Sequence, residues 1–249
     1  MESQGNIAAA QRLYSKVTKI NPDFIYGWSN LGNTQVVLGD LPSADNNYSK
    51  AIRLCQESLD SSEAAFGVKR CSDLYVLLLN RGTVRLNSGM YAEALGDLER
   101  ASALRERPDA IVAQNLARAR EVNGYYNQAD KDYALAISMT ANEVSPFWLR
   151  AAIVKLQLGD VDGGFNLFKR VEIRFPEAPE VRAAYAVFLD AKGDTLAARR
   201  KFLEIPDRQR LKFSDTEYLN KVVSWPPAAI NRILDIAALV GDAKTTSLV

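Results

Sequence analysis

"LGDLPSADNNYSKAI", residues 38–52, decides the fold. Gly39 and Asp40 close one helical pattern, Pro42 opens the next, and Ala44, Tyr48 and Ala51 share one face of that second helix. The spacing recurs. Gly5, Gly39, Gly89, Gly124, Gly159 and Gly193 are followed five residues on by Ala10, Ala44, Ala94, Ala129, Gly164 and Ala198. Nine residues on stand Tyr14, Tyr48, Leu98, Tyr133, Phe168 and Phe202, and twelve on Val17, Ala51, Ala101, Ala136, Val171 and Ile205. Seven before the last five glycines are Gly32, Gly82, Ala117, Ala152 and Ala186. The glycines are 34, 50, 35, 35 and 34 residues apart.

A glycine can end a helix in the left-handed conformation that other residues avoid. The chain then turns and starts an antiparallel helix. Small residues at −7 and +5 let the two helices approach closely, and the +9 aromatic fills the space beside them. One such pair cannot bury both faces, so pairs stack. The expectation is an all-α, right-handed superhelical solenoid of helix-turn-helix repeats.

The spacing resembles the tetratricopeptide repeat over roughly residues 5–206. Residues 25–54 keep Trp28, Leu31, Gly32, Gly39, Ala44, Tyr48 and Ala51 on pattern. Residues 145–176 keep Trp148, Ala152, Gly159, Phe168 and Pro176. Elsewhere Leu78, Ala113 and Arg182 replace the tryptophan, and Arg85, Arg120 and Lys155 stand where an aromatic is usual. The resemblance implies the second half of a truncated repeat at 1–24, turning at Gly5, then five units over 25–206. Capping helices and a frayed tail follow at 207–249.

The long interval places a helical insertion at about 55–74, with a turn near Gly67. It is either a docking element or a tolerated elongation. Cys55 and Cys71 bracket it. A bridge between them would stabilise by about 3 kcal/mol in the chain-entropy model; the alternative is two thiols packed as small hydrophobes. Near the C-terminus, residues 214–225 suggest a helix capped at Ser214, broken by Pro226 and Pro227 and followed by a final amphipathic helix. The stretch "FSDTEYLNKVVSWPPAAI" is also similar to plastid tetratricopeptide proteins of plants and algae, some of the thylakoid lumen. That similarity implies a chloroplast location; without it the expectation is cytoplasmic.

Composition excludes several kinds of chemistry. Among 249 residues, 31 Lys and Arg nearly balance 30 Asp and Glu, giving a net charge of +1, and histidine is absent. The usual general base and the commonest metal ligand are therefore missing, and two cysteines cannot build a zinc site unaided. Neutrality argues against nucleic acid as partner, with a helical-repeat RNA binder the third choice. No phosphate-binding glycine motif occurs. The carboxylates Asp130/Asp132 and Glu177/Glu180 read as solvated surface. The chain is expected to be no enzyme, to need no cofactor or metal, and to have no membrane span; peripheral association through a membrane-bound partner is allowed.

The resemblance implies that the first helix of each unit lines a concave groove. Two residues before the −7 position stand Asn30, Asn80 and Asn115 on successive first helices, then Arg150. Asn33 and Arg118 lie one turn further along. Asparagine both donates and accepts, so the ladder suits a peptide backbone, or serves hydrogen bonds between helices only. One subgroup of the family clamps chaperone C-termini with two such asparagines and several cations. Asn30 and Asn80 match, but Tyr26, Ile111 and Asn115 stand where cations belong. The leading expectation is a protein–protein scaffold binding a peptide or helix, serving assembly or maintenance of a multi-subunit, photosynthetic complex; the alternative is a chaperone adaptor.

Overall fold

Five of the six repeat glycines turn the chain. The computed structural model describes residues 2–61, 71–140 and 143–246. In it Gly39, Gly89, Gly124, Gly159 and Gly193 take φ between 76° and 88°, the left-handed region. Nothing stands within 4 Å of where a Cβ would lie on any of them, so backbone conformation alone calls for glycine. Gly5 departs from the expected turn, because helix α1 (Glu2–Ile20) runs straight through it. Ala8, Ala9 and Ala10 are the best helix formers and offset a glycine penalty of about 1 kcal/mol.

Beyond α1 the helices come in pairs joined by short turns: α2 (Ile25–Leu38) with α3 (Leu41–Asp60), and α4 (Leu74–Asn87) with α5 (Tyr91–Ala103). Next come α6 (Ala110–Val122) and α7 (Tyr126–Met139), α8 (Phe147–Gln157) and α9 (Val161–Arg174), then α10 (Pro179–Ala191) and α11 (Thr195–Leu203). Among the described residues there is no strand, and no helix is long and apolar enough to cross a membrane. A Gly-Asp pair both stops and starts a helix. Asp40, Asp160 and Asp194 follow their glycines and accept from the N–H of Ser43, Gly163 and Ala197 at 3.2, 2.9 and 2.9 Å.

The small residues mark close approach. A Cβ on Gly32 would lie 3.0 Å from the Tyr48 ring, one on Gly82 2.8 Å from Leu98, and one on Gly164 2.8 Å from the carbonyl oxygen of Ala152. The pairs α2/α3, α4/α5 and α8/α9 therefore touch where the sequence keeps glycine.

The chain divides into two compact units, Met1–Ala119 and Arg120–Val249. In the first, a core of Ile25, Ile52, Leu54, Leu77, Leu78 and Val112 surrounds a disulfide between Cys55 and Cys71, whose Cα atoms lie 5.3 Å apart. Helix α3 continues to Asp60; residues 62–70, with Gly67 and most of the insertion, lie outside the described residues. In the second unit the largest fully buried side chains include Trp148, Tyr133, Phe168, Phe188 and Phe202. The Phe168 and Phe188 rings lie 5.2 Å apart.

The C-terminal region differs from expectation in its start and its extent. A short helix α12 (Asp207–Arg210) and a 3-10 turn (Leu211–Ser214) precede α13 (Thr216–Tyr218), whose cap is Asp215 rather than Ser214. Asp215 accepts from the N–H of Glu217 at 2.8 Å, one residue later than the sequence suggests. A π turn (Leu219–Val223) follows, and helix α14 (Pro227–Thr246) runs through most of what reads as a frayed tail; residues 247–249 lie outside the described residues. Helix α14 packs against α8 and α10 as well as against the last pair's α11. It therefore covers the first helices of two pairs and does more than cap the end.

Candidate peptide-binding site

The amides stand on three helices of the first unit: Asn30 and Asn33 on α2, Asn80 on α4 and Asn115 on α6. Asn30 and Asn80 are half-buried, and Asn33 is exposed. Asn33 donates weakly to Asn30 Oδ1 at 3.4 Å and accepts from the Tyr48 hydroxyl at 2.6 Å. Burial pushes the Tyr48 phenol up to about 12. Asn80 makes no side-chain hydrogen bond among the described residues. Asn115 is engaged in both capacities: its Oδ1 accepts from Thr83 Oγ1 at 3.3 Å, and its Nδ2 donates to the Ile111 carbonyl at 2.9 Å. The single Thr83 proton also faces the Leu79 carbonyl at 2.8 Å, so its contact with Asn115, between α4 and α6, is the weaker of the two. Arg118 lies half-buried one turn along α6.

Arg150, the cation at the end of the ladder, is in the second unit and committed internally. Its Nε and Nη2 form a fork on Glu121 at 3.0 and 2.6 Å. Glu121 is 3% exposed and also accepts from the Tyr133 hydroxyl at 2.7 Å. Burial alone would favour the neutral guanidine, but the Glu121 charge and hydrogen bond outweigh it and raise the Arg150 pKa. The remaining donors reach the C-terminal segment: Nη1 to the Val223 carbonyl at 2.9 Å and Nη2 to the Ser224 carbonyl at 2.5 Å. Ser224, with φ 51°, is the one non-glycine residue in the left-handed region among the described residues. Nearby, Gln157 Oε1 accepts from the Ala228 N–H at 2.8 Å and Glu180 accepts from Trp225 Nε1 at 3.1 Å. Arg150 is thus removed from the residues offered to a partner, because its donors already grip this chain's own backbone.

An ion-pair register went unread in the sequence. Arg85, four before its glycine, bonds Asp97, eight after it, at 2.8 Å, and Asp45 of the preceding pair at 2.7 Å. Arg81 forks onto the same buried Asp97 at 2.8 and 2.6 Å. Arg120 meets Asp132 at the same spacing, 2.7 Å, and Gln35 meets Asn47 as a neutral version, 2.6 Å. Lys155 instead reaches Asp130 of the preceding pair at 3.2 Å. The cations at the usual aromatic position therefore tie helices together through charge, as a spacing of twelve residues between opposite charges could have signalled. Asp130, Asp132 and Glu180 are consequently partnered rather than merely solvated, while Glu177, though bonded by Arg182, stays exposed as expected. No cluster of three or more potential metal-ligating acidic or cysteine side chains occurs among the described residues.

No protein-family model and no curated protein sequence matches the chain. Solved structures do. YrrB, described as a tetratricopeptide-repeat protein with an unusual peptide-binding site, superposes with a TM-score of 0.60 at 17% identity, over 80% of this chain and 95% of that one. A tetratricopeptide-repeat protein from Parabacteroides merdae gives 0.55 at 14% identity, over 95% and 80% of the two chains. The MamA protein gives 0.56 at 15%, over 82% and 100%. At these identities the likeness concerns the fold: this chain has the tetratricopeptide-repeat fold. These neighbours lend no support to the plastid resemblance.

Proposed function

We propose that the chain is a non-enzymatic interaction scaffold whose first unit binds a protein partner, as a peptide or helix, along the face carrying Asn30, Asn33 and Asn80. One observation carries this most. Arg150 stands nine residues before Gly159, as Asn30 and Asn80 stand nine before Gly39 and Gly89, and Arg150 holds two backbone carbonyls. The same position in the first unit bears amides with unfilled donors, suited to the same task on another chain. Asn115 and Arg118 flank that face, with Asn115 already shared with Thr83. YrrB, whose description names a peptide-binding site, offers a precedent on the same fold.

A chaperone adaptor fits less well. The Tyr26 hydroxyl, at the first clamp position, donates to Asp73 at 2.9 Å, and Ile111 at another is an exposed apolar residue. Neither supplies the positive charge that a carboxylate needs. The wider proposal, that the partner belongs to a multi-subunit photosynthetic complex, comes from the plastid resemblance, and the identity of a captured protein decides it. The test is affinity capture from extract of the source cell with the full chain and with an Asn30→Ala/Asn80→Ala variant shown to be folded by circular dichroism. A partner held by the first and lost by the second is the expected result. Equal retention by both overturns the amide face.

A further inference from the structure

Arg150 and Gln157 stand seven residues apart on α8, two turns along one face. Together they hold one irregular stretch of chain. Arg150 donates to the carbonyls of Val223 and Ser224, and Gln157 accepts from the N–H of Ala228, in the first turn of α14. First-turn N–H groups have no acceptor within their own helix, and Gln157 supplies one from outside. What the pair grips has a definite shape: two successive carbonyls at a left-handed turn, then the start of a helix.

Helix α4 carries the same two positions. Asn80 and Asn87 stand nine and two residues before Gly89, as Arg150 and Gln157 do before Gly159. Asn80 is half-buried and Asn87 exposed, and neither makes a side-chain hydrogen bond among the described residues. An asparagine amide can donate to a carbonyl as the guanidinium does, and accept from an N–H as the glutamine does. We infer that Asn80 and Asn87 form a two-point reader for a partner segment in which an irregular turn leads into the N-terminus of a helix. Asn80 Nδ2 donates to a carbonyl of the turn, and Asn87 Oδ1 accepts from an N–H of the helix's first turn. This rests on the amide-face proposal above and adds to it the partner's local shape. A helix laid along the face by its middle offers neither group, because both are consumed by its own ladder. The two asparagines carry no charge, so the segment needs none at these points.

The probe is a synthetic peptide, acetylated and amidated, spanning residues 223–236 of this chain, which contains the turn and the helix start. A second peptide is N-methylated at the alanine corresponding to Ala228, which deletes the N–H. Binding to the full chain is followed by fluorescence anisotropy. Asn80→Ala and Asn87→Ala, both changes of side chains that reach solvent, should each weaken it by about 3- to 10-fold, the effect of one hydrogen bond. N-methylation should weaken binding to the parent chain by the same factor, with no further effect on Asn87→Ala. If Asn80→Ala weakens binding while Asn87→Ala and N-methylation do not, the two-point reader is wrong and the amide face survives. No binding, or binding indifferent to every change (as exchange with the chain's own segment in the second unit would be), overturns the reader and leaves the amide face to the capture experiment.

Discussion

Helices α4 and α8 begin from the same repeat register and end in different surroundings. In α8 the buried residues are Phe147, Trp148, Leu149, Ala151, Ala152, Ile153, Val154 and Leu156, so it is covered all round. In α4 they are Leu77, Leu78, Gly82 and Val84, a single stripe. The extra cover on α8 comes from its own chain: α14 packs on it, and Arg150 and Gln157 bond the segment that leads into α14. The lesson is that one of two equivalent helices is covered by its own chain's C-terminal segment, whereas its counterpart in the other unit keeps Asn80 half-buried and Asn87 exposed, with no side-chain hydrogen bond to either among the described residues. The C-terminal segment buries Phe213, Leu219, Val223, Trp225, Ile230, Ile233 and Ile236, far too much apolar surface to be displaced casually. That contrast is what supports the proposal that the first unit receives the partner.

The largest expected effect lies in that filling. Arg150→Ala removes the forked guanidinium from the Glu121 carboxylate, whose side chain is 2% exposed, and should lower stability by roughly 3–5 kcal/mol in urea unfolding. Arg150→Lys should recover little, because an ammonium cannot fork onto Glu121 and reach two carbonyls at once. An Arg150→Ala protein as stable as the parent would break the contrast between the units.

Next in size is the core of the open unit. Reducing the buried Cys55–Cys71 disulfide, or replacing both cysteines by alanine, should cost about 2–4 kcal/mol. The measurement is the shift in thermal midpoint with and without reductant. No shift would mean that the loop it closes is already held by other contacts.

Alkaline pH probes the support behind Asn33. The folded Tyr48 phenol, at about 12, lies above its ordinary value of 10.0 because burial disfavours the phenolate. Its contribution is therefore complete below pH 10 and is lost as pH rises towards 12, roughly 2–3 kcal/mol in all. Tyr48→Phe, which cannot ionise, should flatten the fall in stability over that window. An identical fall in both proteins would show that other groups govern it.

The smallest effects compare two glycines. Gly164→Ala sets a methyl group 2.8 Å from the Ala152 carbonyl oxygen and 3.0 Å from Phe188, so it should destabilise by about 1–3 kcal/mol. Gly96→Ala, exposed in the interior of α5 with nothing within 4 Å, should stabilise by about 0.5–1 kcal/mol. Effects of like sign would mean that close helix approach is not what keeps glycine at 164.

Much of this was legible in the sequence because it is local. A left-handed Gly39 or Gly159, the capping Asp beside it, and a small residue opposite an aromatic all lie within one helix pair. Gly5 misled because spacing alone does not tell a turn glycine from one tolerated inside a helix; the aspartate that follows Gly39, Gly159 and Gly193 is replaced there by Asn6. The fate of Arg150 depended on residues more than seventy positions away, which no repeat spacing reports. A signal for it was nonetheless present: "FWLRAAIVKLQ" is apolar round most of its circumference, with Arg150 and Gln157 together on the remaining strip, and so wide an apolar surface must be covered on more than one side. The amides Asn30 and Asn80 could be found by register, whereas the use of Asn115 by Thr83 needed the neighbouring helix to be in place.

The most direct measurement is amide hydrogen exchange of the full chain with and without its captured partner. New protection should appear in residues 25–38 and 74–87 of the first unit, with residues 147–157 and 219–230 unchanged, because the chain already covers α8 with its own C-terminal segment. Protection that instead appears at 147–157 and the C-terminal segment, leaving 25–38 and 74–87 untouched, would contradict the account.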